Sequence, residues 1–334
     1  MRLSICIPTY NRARYLGDTL ESFLRQKREV EIVVSDNASS DGTIELMERL
    51  GSECKELRYH RSSVNLGADS NYLRAVALAQ SDYCWLFGSD DTAVDGSIDL
   101  ILEKISYGPD VILCNRFNCD KEMNRIGPLR WTDIKEDQVF DTAHGEGITT
   151  YLKHGKTLGS VFSYLSSVIV KKQSWDEVSD KGFGVGTAYA HTYVLLSILV
   201  NGGRLCIVNQ PLVNCRTGND SFLGNNELKR IMLDFAGYEK VGKKAFAKDT
   251  CAWEALKNIM RREHPWYRVL KMRRLAVDNS DWLEIVRYLN VYGYSNLWIR
   301  LSGFGGGGIW IDVLVKLKSS YREMRDRILV WLRN

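Results

Sequence analysis

Short runs of β-branched and aliphatic residues alternate with segments whose apolar positions recur at helical spacing through the first 115 residues. The pattern predicts strands at Leu3 to Pro8, Glu31 to Asp36, Leu57 to Arg61, Tyr83 to Phe87 and Val111 to Asn115. Between them it predicts helices at Tyr15 to Lys27, Thr43 to Leu50, Asp69 to Ala79 and Gly96 to Ile105. Strands that alternate with helices call for right-handed crossovers and an α/β fold, a mainly parallel sheet with helices on both faces. Ligands of such sheets collect at the carboxyl ends of the strands. The segments there are Thr9 to Arg12, Asp36 to Asp41, Ser62 to Gly67 and Gly88 to Asp91, all polar. Turn-forming residues explain any one of these loops; four along one edge point to a site.

Residues 116–147 are polar and weakly periodic, and read as an excursion from the sheet. Strand signals return at Ser167 to Val170 and Leu205 to Val208, with a helix at Tyr189 to Leu199 between them and a turn at Pro211. Beyond Asn225 the periodicity is helical, with breaks near Pro265 and Gly293. The expected division is a sheet domain over 1–222, comprising a ligand-binding half (1–115) and an acceptor half (116–222), and a helical domain over 223–334.

Charge sharpens this division. Residues 1–220 carry 24 Lys+Arg against 29 Asp+Glu, whereas residues 221–334 carry 21 against 12. The basic third places Lys243, Lys244, Arg261, Arg262, Lys271, Arg273 and Arg274 among Trp253, Trp266, Tyr267, Trp282, Trp298 and Trp310. That mixture suits the headgroup layer of a bilayer, and equally a solvated bundle with aromatics in its core. Nucleic acid is not expected as a partner, since no recognised module accompanies the charge. The apolar stretch Leu297 to Val315 contains Arg300, Asp312 and four consecutive glycines, which argue against a spanning helix. A strand begins within three residues of Met1, so no leader is expected, and the reading is cytoplasmic, with peripheral membrane contact open. Eight cysteines without a C-x-x-C pair read as buried small hydrophobes in a reducing compartment.

The loops carry the candidate chemistry. Asp90 and Asp91 follow the apolar Tyr83 to Phe87 run, where adjacent carboxylates invite either a hard divalent cation or a role as helix cap. Asp36 opens Asp-Asn-Ala-Ser-Ser-Asp-Gly-Thr, a carboxylate placed to accept from a base or ribose, or simply to shape a turn.

The run Ser4 to Arg12 (Ser-Ile-Cys-Ile-Pro-Thr-Tyr-Asn-Arg), then Val33 to Thr43, then Asn65-Leu66-Gly67, then Phe87-Gly88-Ser89-Asp90-Asp91, resembles the ordered motifs of family 2 glycosyltransferases. Within that family the chain looks most like abequosyltransferase-type enzymes of O-antigen assembly. The resemblance is firm over residues 1–105. It implies the GT-A fold, a nucleotide-diphosphate sugar donor, Mn²⁺ or Mg²⁺, a glycan or lipid-linked oligosaccharide acceptor, and inversion at the anomeric carbon. By position, Pro8, Thr9 and Tyr10 would line the base and Asp36 would bond to it. Arg12, Asn37, Asp41, Asn65, Gly67, Arg74 and Ser89 would complete the donor site, with Asp90, joined by Asp91, on the metal. The chain departs from the pattern twice. Gly88 stands where the first acid of D-x-D is usual, so that acid's contact is lost or moves to Asp91. Ala190-His191 replaces the acidic pair that opens the acceptor-side helix.

His191 is thereby a candidate general base or metal ligand, a neutral imidazole being able to take a hydroxyl proton; its alternative is a packed or surface residue. Arg216, after Pro211, could pair with a departing diphosphate, or be an ordinary loop arginine. The expected reaction is direct displacement by a deprotonated acceptor hydroxyl. A nucleotidyltransferase or dehydrogenase would instead show a glycine-rich phosphate loop after the first strand. The remaining alternative is a non-catalytic, glycosyltransferase-like partner of a membrane-associated assembly complex.

Overall fold

The computed structural model describes residues 1–219 and 227–266, then 268, 272, 275–276, 279–296 and 299. The Leu297 to Val315 stretch apart from Ile299, and Tyr267, Lys271, Arg273, Arg274, Trp298 and Trp310, lie outside them.

Three strands run as the apolar pattern predicts: β1 (Leu3–Thr9), β2 (Glu31–Asp36) and β3 (Leu57–Arg61). Every residue of β1 and β2 is buried, as expected for parallel strands covered on both faces. With β4 (Tyr83–Leu86), β5 (Thr92–Ala93), β6 (Val111–Cys119), β7 (Arg125–Leu129), β8 (Gln138–Asp141), β9 (Val168–Lys171) and β10 (Arg204–Arg216) they form one ten-stranded sheet. Its order is β3-β2-β1-β4-β9-β6-β10-β5, with β7 on β6 and β8 on β10. The β3-β2-β1-β4 half is parallel, whereas β9 runs antiparallel between β4 and β6.

Helices α1 (Ala13–Leu24), α2 (Thr43–Glu53), α3 (Ala68–Leu78) and α4 (Ser97–Ile105) fill the crossovers. α1 buries Leu16, Leu20 and Phe23, and the Phe23 ring meets Trp85 and Phe87 edge-on at 5.7 and 4.7 Å. α5 (Ile148–Leu152) and α6 (Lys172–Glu177) are short, and α7 (Ala190–Val200) is buried nearly all round, as a core helix should be. α8 (Glu227–Ala245), α9 (Thr250–Glu263) and α10 (Asn279–Val291) follow. Their apolar faces, including Phe235, Leu256 and Leu289, join the same hydrophobic cluster as α7 and one face of the sheet.

Two expectations change. The 116–147 region is not an excursion: β6 continues to Cys119, β7 returns along it, and β8 pairs with β10. β7 is mostly exposed, so it has no apolar face to betray it. Pro211 does not end a strand, because β10 passes through it with register shifts from Val208 to Val213, where a missing N–H is tolerated. All eight cysteines are free; Cys251 is exposed and Cys54 half-buried, while the other six are core residues. Among the described residues no helix is long and apolar enough to cross a membrane. Trp253 and Trp282 pack against the core, and Arg261 and Arg262 donate to the carbonyls of Tyr292 and Gly155.

The amino end of α7 is closed by a residue from another helix. Asp69, in the first turn of α3, accepts from the backbone N–H groups of Gly186 (2.9 Å), Ala188 (2.8 Å) and Ala190 (3.0 Å). A buried carboxylate that accepts from two backbone N–H groups of the entering loop and from the first N–H of the helix is worth more than an ordinary cap. Asp69→Ala is expected to lower the unfolding free energy by about 2 kcal/mol, read as a lower urea midpoint at unchanged m-value.

Candidate active site

A cavity of about 700 Å³ opens at the carboxyl ends of β1, β2 and β4. Pro8, Thr9, Tyr10 and Arg12 line it from β1, Asn37 from β2, and Asn65 and Gly67 from the loop before α3. Ser89, Asp90 and Asp91 line it after β4, and His191 and Arg216 complete the expected residues found there. Asn37 ties the loop after β2 to the loop before α3: its Nδ2 donates to Asn65 Oδ1 at 2.8 Å, and its Oδ1 accepts from Leu66 N at 2.8 Å. Gly67 enters α3 at φ 82°, a conformation that favours glycine. Thr9 Oγ1 is buried here without a hydrogen-bond partner.

Asp36, Asp41 and Arg74 stand behind this wall. Asp36 is fully buried, accepting from Ser39 N at 2.9 Å and from the Tyr59 hydroxyl at 2.6 Å, with Arg61 3.6 Å away. Asp41 joins the starts of α1 and α2 by accepting from Ala13 N and Thr43 Oγ1. Arg74 donates to Ser35 Oγ and the His60 carbonyl. These three shape the loops from outside the cleft.

The acid pair divides its labour. Asp91 turns inward: Oδ2 accepts from Tyr164 OH (2.6 Å) and Ser166 Oγ (2.5 Å), and Oδ1 from Arg216 N (3.2 Å). Burial pushes its carboxyl up, against those donors and the nearby charge of Arg116. Asp90 stays at the cleft, with Arg12 Nη1 3.6 Å away and Asn219 Nδ2 donating at 2.7 Å. Burial, then the charge of Asp91, raises Asp90 to about 7 despite Arg12. Gly88 explains the missing first acid, since a Cβ there would lie 3.0 Å from Asp91 Oδ2 and 3.2 Å from both Asp90 Oδ1 and Ser166 Oγ. Absence of a side chain lets Ser166 and Asp91 close up.

Arg216 is nearly buried and spends its guanidinium inside the protein. Nε donates to the Asp90 carbonyl at 3.1 Å, Nη2 pairs with Asp18 at 3.0 Å, and Nη1 reaches the Lys121 carbonyl. Asp220 and Ser221 of its loop lie outside the described residues. Arg12 is therefore the cation standing beside Asp90.

His191 is 1% exposed, and burial depresses it to about 4. Its Nε2 lies 2.9 Å from the Phe162 carbonyl, which can only accept, so Nε2 carries the proton and Nδ1 keeps a lone pair with no partner. The imidazole is neutral at physiological pH.

Sequence reasoning missed the far wall. Arg116 and Trp131 belong to the stretch taken for an excursion, and Arg230, Asp234 and Glu263 come from α8 and α9. Asp234 is buried among Tyr189 OH, Arg230 and His264 Nε2 (3.1 Å). Burial pushes its carboxyl up, but His264, Arg230 and Tyr189 outweigh that and hold it below the usual range. Arg230 and Asp234, four apart on a helix, were the one legible signal.

Among the described residues no three His, Cys, Asp or Glu side chains form a metal cluster. The donor set fits a hard cation held by one carboxylate, Asp90, with the rest of its oxygens supplied by phosphate and water.

A family model described as "Glycosyl transferase family 2" matches residues 4–164. The abequosyltransferase RfbV of Salmonella typhimurium is 37% identical over 289 residues, spanning 84% of this chain and 86% of that protein. The chain belongs to glycosyl transferase family 2. This family 2 glycosyltransferase has the fold of Staphylococcus aureus TarS 1–349, with a TM-score of 0.64 at 16% identity over 87% of this chain and 80% of that one. TarS 1–349 in complex with UDP-GlcNAc gives 0.61 at 15% identity, covering 97% and 92%. The Pyrobaculum calidifontis mannosyltransferase PcManGT, in complex with GDP-Man and Mn²⁺, gives 0.54 at 15% identity, covering 92% and 79%. The GT-A architecture expected from the motifs is therefore present, with a helical C-terminal region.

The raised Asp90 carboxyl makes a stability prediction with a definite sign. In the unfolded chain it ionises near pH ~4, and in the folded enzyme near about 7. Folding is therefore favoured while the group keeps its proton, and that advantage is lost as pH rises through 7. Asp90→Asn should match the wild type below about pH 4 and grow more stable than it between pH ~4 and ~7, with a constant gap above; melting temperatures across pH 4 to 9 measure this.

Proposed function

We propose that this enzyme transfers a sugar from a nucleotide-diphosphate sugar to a hydroxyl of a glycan acceptor, with inversion at the anomeric carbon. The observation that carries the reading is the convergence on one cleft of the β1, β2 and α3 loops with Asp90, the cleft-facing acid of the pair, beside Arg12. The abequosyltransferase relative supports a bacterial surface polysaccharide of the O-antigen kind as product, and a lipid-linked acceptor belongs to the same reading. The nucleotide-sugar complexes of TarS and PcManGT support the donor class.

In this reading Thr9, Tyr10, Asn37, Asn65 and Gly67 bind the nucleoside end, Thr9 Oγ1 finding in the donor the partner it lacks. Arg12 faces the diphosphate. Asp90 holds Mn²⁺ or Mg²⁺, which neutralises charge on the leaving diphosphate when bound. Asp91 fixes the loop through Tyr164, Ser166 and Arg216. His191 offers Nδ1 to the acceptor hydroxyl; its depressed basicity keeps it deprotonated across the working range but weakens its pull on the proton. The unit over 1–222 carries the chemistry, with α8 and α9 from 223–334 adding acceptor-side wall. Contact of the basic C-terminal third with the inner face of the membrane belongs to the same reading, and anionic liposome binding that weakens with salt would support it.

A thermal-shift screen of nucleotides and nucleotide sugars, with and without Mn²⁺, tests the donor class. A ligand present at 100 times its Kd stabilises the native state by about 2.7 kcal/mol, so a matching base stands out. Absence of any shift from all common nucleotide sugars overturns the reading. Asp90→Ala should abolish turnover. His191→Ala should lower kcat by roughly 10²-fold while leaving donor affinity intact, and full activity in that variant removes His191 from the chemistry.

A further inference from the structure

Among the described residues one cation of the cleft keeps a buried donor without a hydrogen-bond partner. Arg116, on β6, lines the cavity with its guanidinium 4.2 Å from the ring centre of Tyr164 and 4.9 Å from that of Trp131. Both rings are themselves fixed: Trp131 Nε1 donates to the Cys114 carbonyl (2.8 Å) and Ser167 Oγ (3.1 Å), and the Tyr164 hydroxyl donates to Asp91. The guanidinium is thus preorganised before any ligand arrives. Its hydrogen bonding is poor, however. Nε is buried with no partner, Nη1 reaches the Cys215 sulfur at 3.0 Å, a weak acceptor, and the Tyr164 hydroxyl and the charge of Asp91 stand close by. Among the described residues Arg116 has no carboxylate within ion-pair distance. A buried, unpaired N–H of a charged group costs free energy that a bound acceptor would recover.

The place of Arg116 in the sheet suggests which acceptor. On the donor reading above, on which this inference rests, the nucleoside lies over β1 and β2 and the diphosphate at Asp90 after β4. β6 is two strands further in the same direction, past β9. At about 4.8 Å per strand the β6 backbone lies roughly 10 Å beyond that of β4, on the side away from β1 and β2, the direction in which a sugar would follow the phosphates. Sugar hydroxyls can accept from a guanidinium fork, and the Trp131 and Tyr164 rings hold that fork in place. We infer that Arg116 is the specificity contact of the donor site, donating to hydroxyls of the transferred sugar and not to the diphosphate.

The test measures, by calorimetry, the affinities of UDP, CDP, GDP and dTDP and of their sugar conjugates for wild type, Arg116→Lys and Arg116→Gln. The sugar of the preferred conjugate should add affinity in the wild type, and both variants should lose roughly tenfold of that gain while binding the bare diphosphate as before. Melting temperatures confirm folding of the variants. A wild-type measurement stands independently: among conjugates lacking single sugar hydroxyls, at least one should bind roughly tenfold more weakly. Equal loss for the bare diphosphate assigns Arg116 to the phosphates and overturns the inference. So does unchanged conjugate binding in the variants, or indifference of the wild type to every hydroxyl. Wild type that binds no nucleotide overturns the donor reading as well, whereas nucleotide binding with an inert Arg116 leaves that reading standing.

Discussion

Where β4 leaves the sheet, the carboxylate of Asp91 is enclosed by three donors from two separate parts of the chain: Tyr164 and Ser166, and the backbone of Arg216. Enclosing a charge is costly unless its hydrogen bonds are met, and here meeting them draws the segment before β9 and the end of β10 onto the exit of β4. Asp90, one residue away, then has no inward partner left and projects toward Arg12 and Asn219 at the cleft. The cleft-facing acid exists because its neighbour has been internalised. Gly88 belongs to the same device, since any side chain there would push against both acids and Ser166.

The sheet was legible where burial was complete or alternation strict. β2 and β3 fall on the residues that the apolar pattern marks, and β1 extends it by one. β7 and β8 were not legible, because edge strands with exposed side chains carry no hydrophobic period, and β10 was cut short by a proline that the ladder tolerates at a bulge. The loops that line the cleft after β1, β2 and β4 could be read because motif order compensates for weak individual signals. Asp36, Asp41 and Arg74 show the limit of that reading: the motif marks them, but their hydrogen bonds are spent on neighbouring loops.

The far side of the cleft depends on contacts between residues distant in sequence, which periodicity does not encode. Arg116 meets Tyr164 and Trp131 only once β6 lies beside β9 and β7. Asp234 meets Tyr189 and His264 only when α8 docks on α7 and α9 on α8. Gly237 permits that docking, since a Cβ there would lie 2.4 Å from the Tyr189 ring. The C-terminal helices are thus part of the cleft wall, and their basic character is partly spent on carbonyls within the fold.

The closure of α7 by Asp69 has a consequence for how such enzymes exchange parts. A helix whose amino end is anchored by a carboxylate from α3 cannot be transplanted with its own segment alone. A chimera that joined this N-terminal region to the α7 region of a relative would inherit an amino end shaped for a different anchor, or a buried acid with nothing to hold. Recombination within this scaffold therefore carries a compatibility requirement at position 69, far in sequence from the segment it serves.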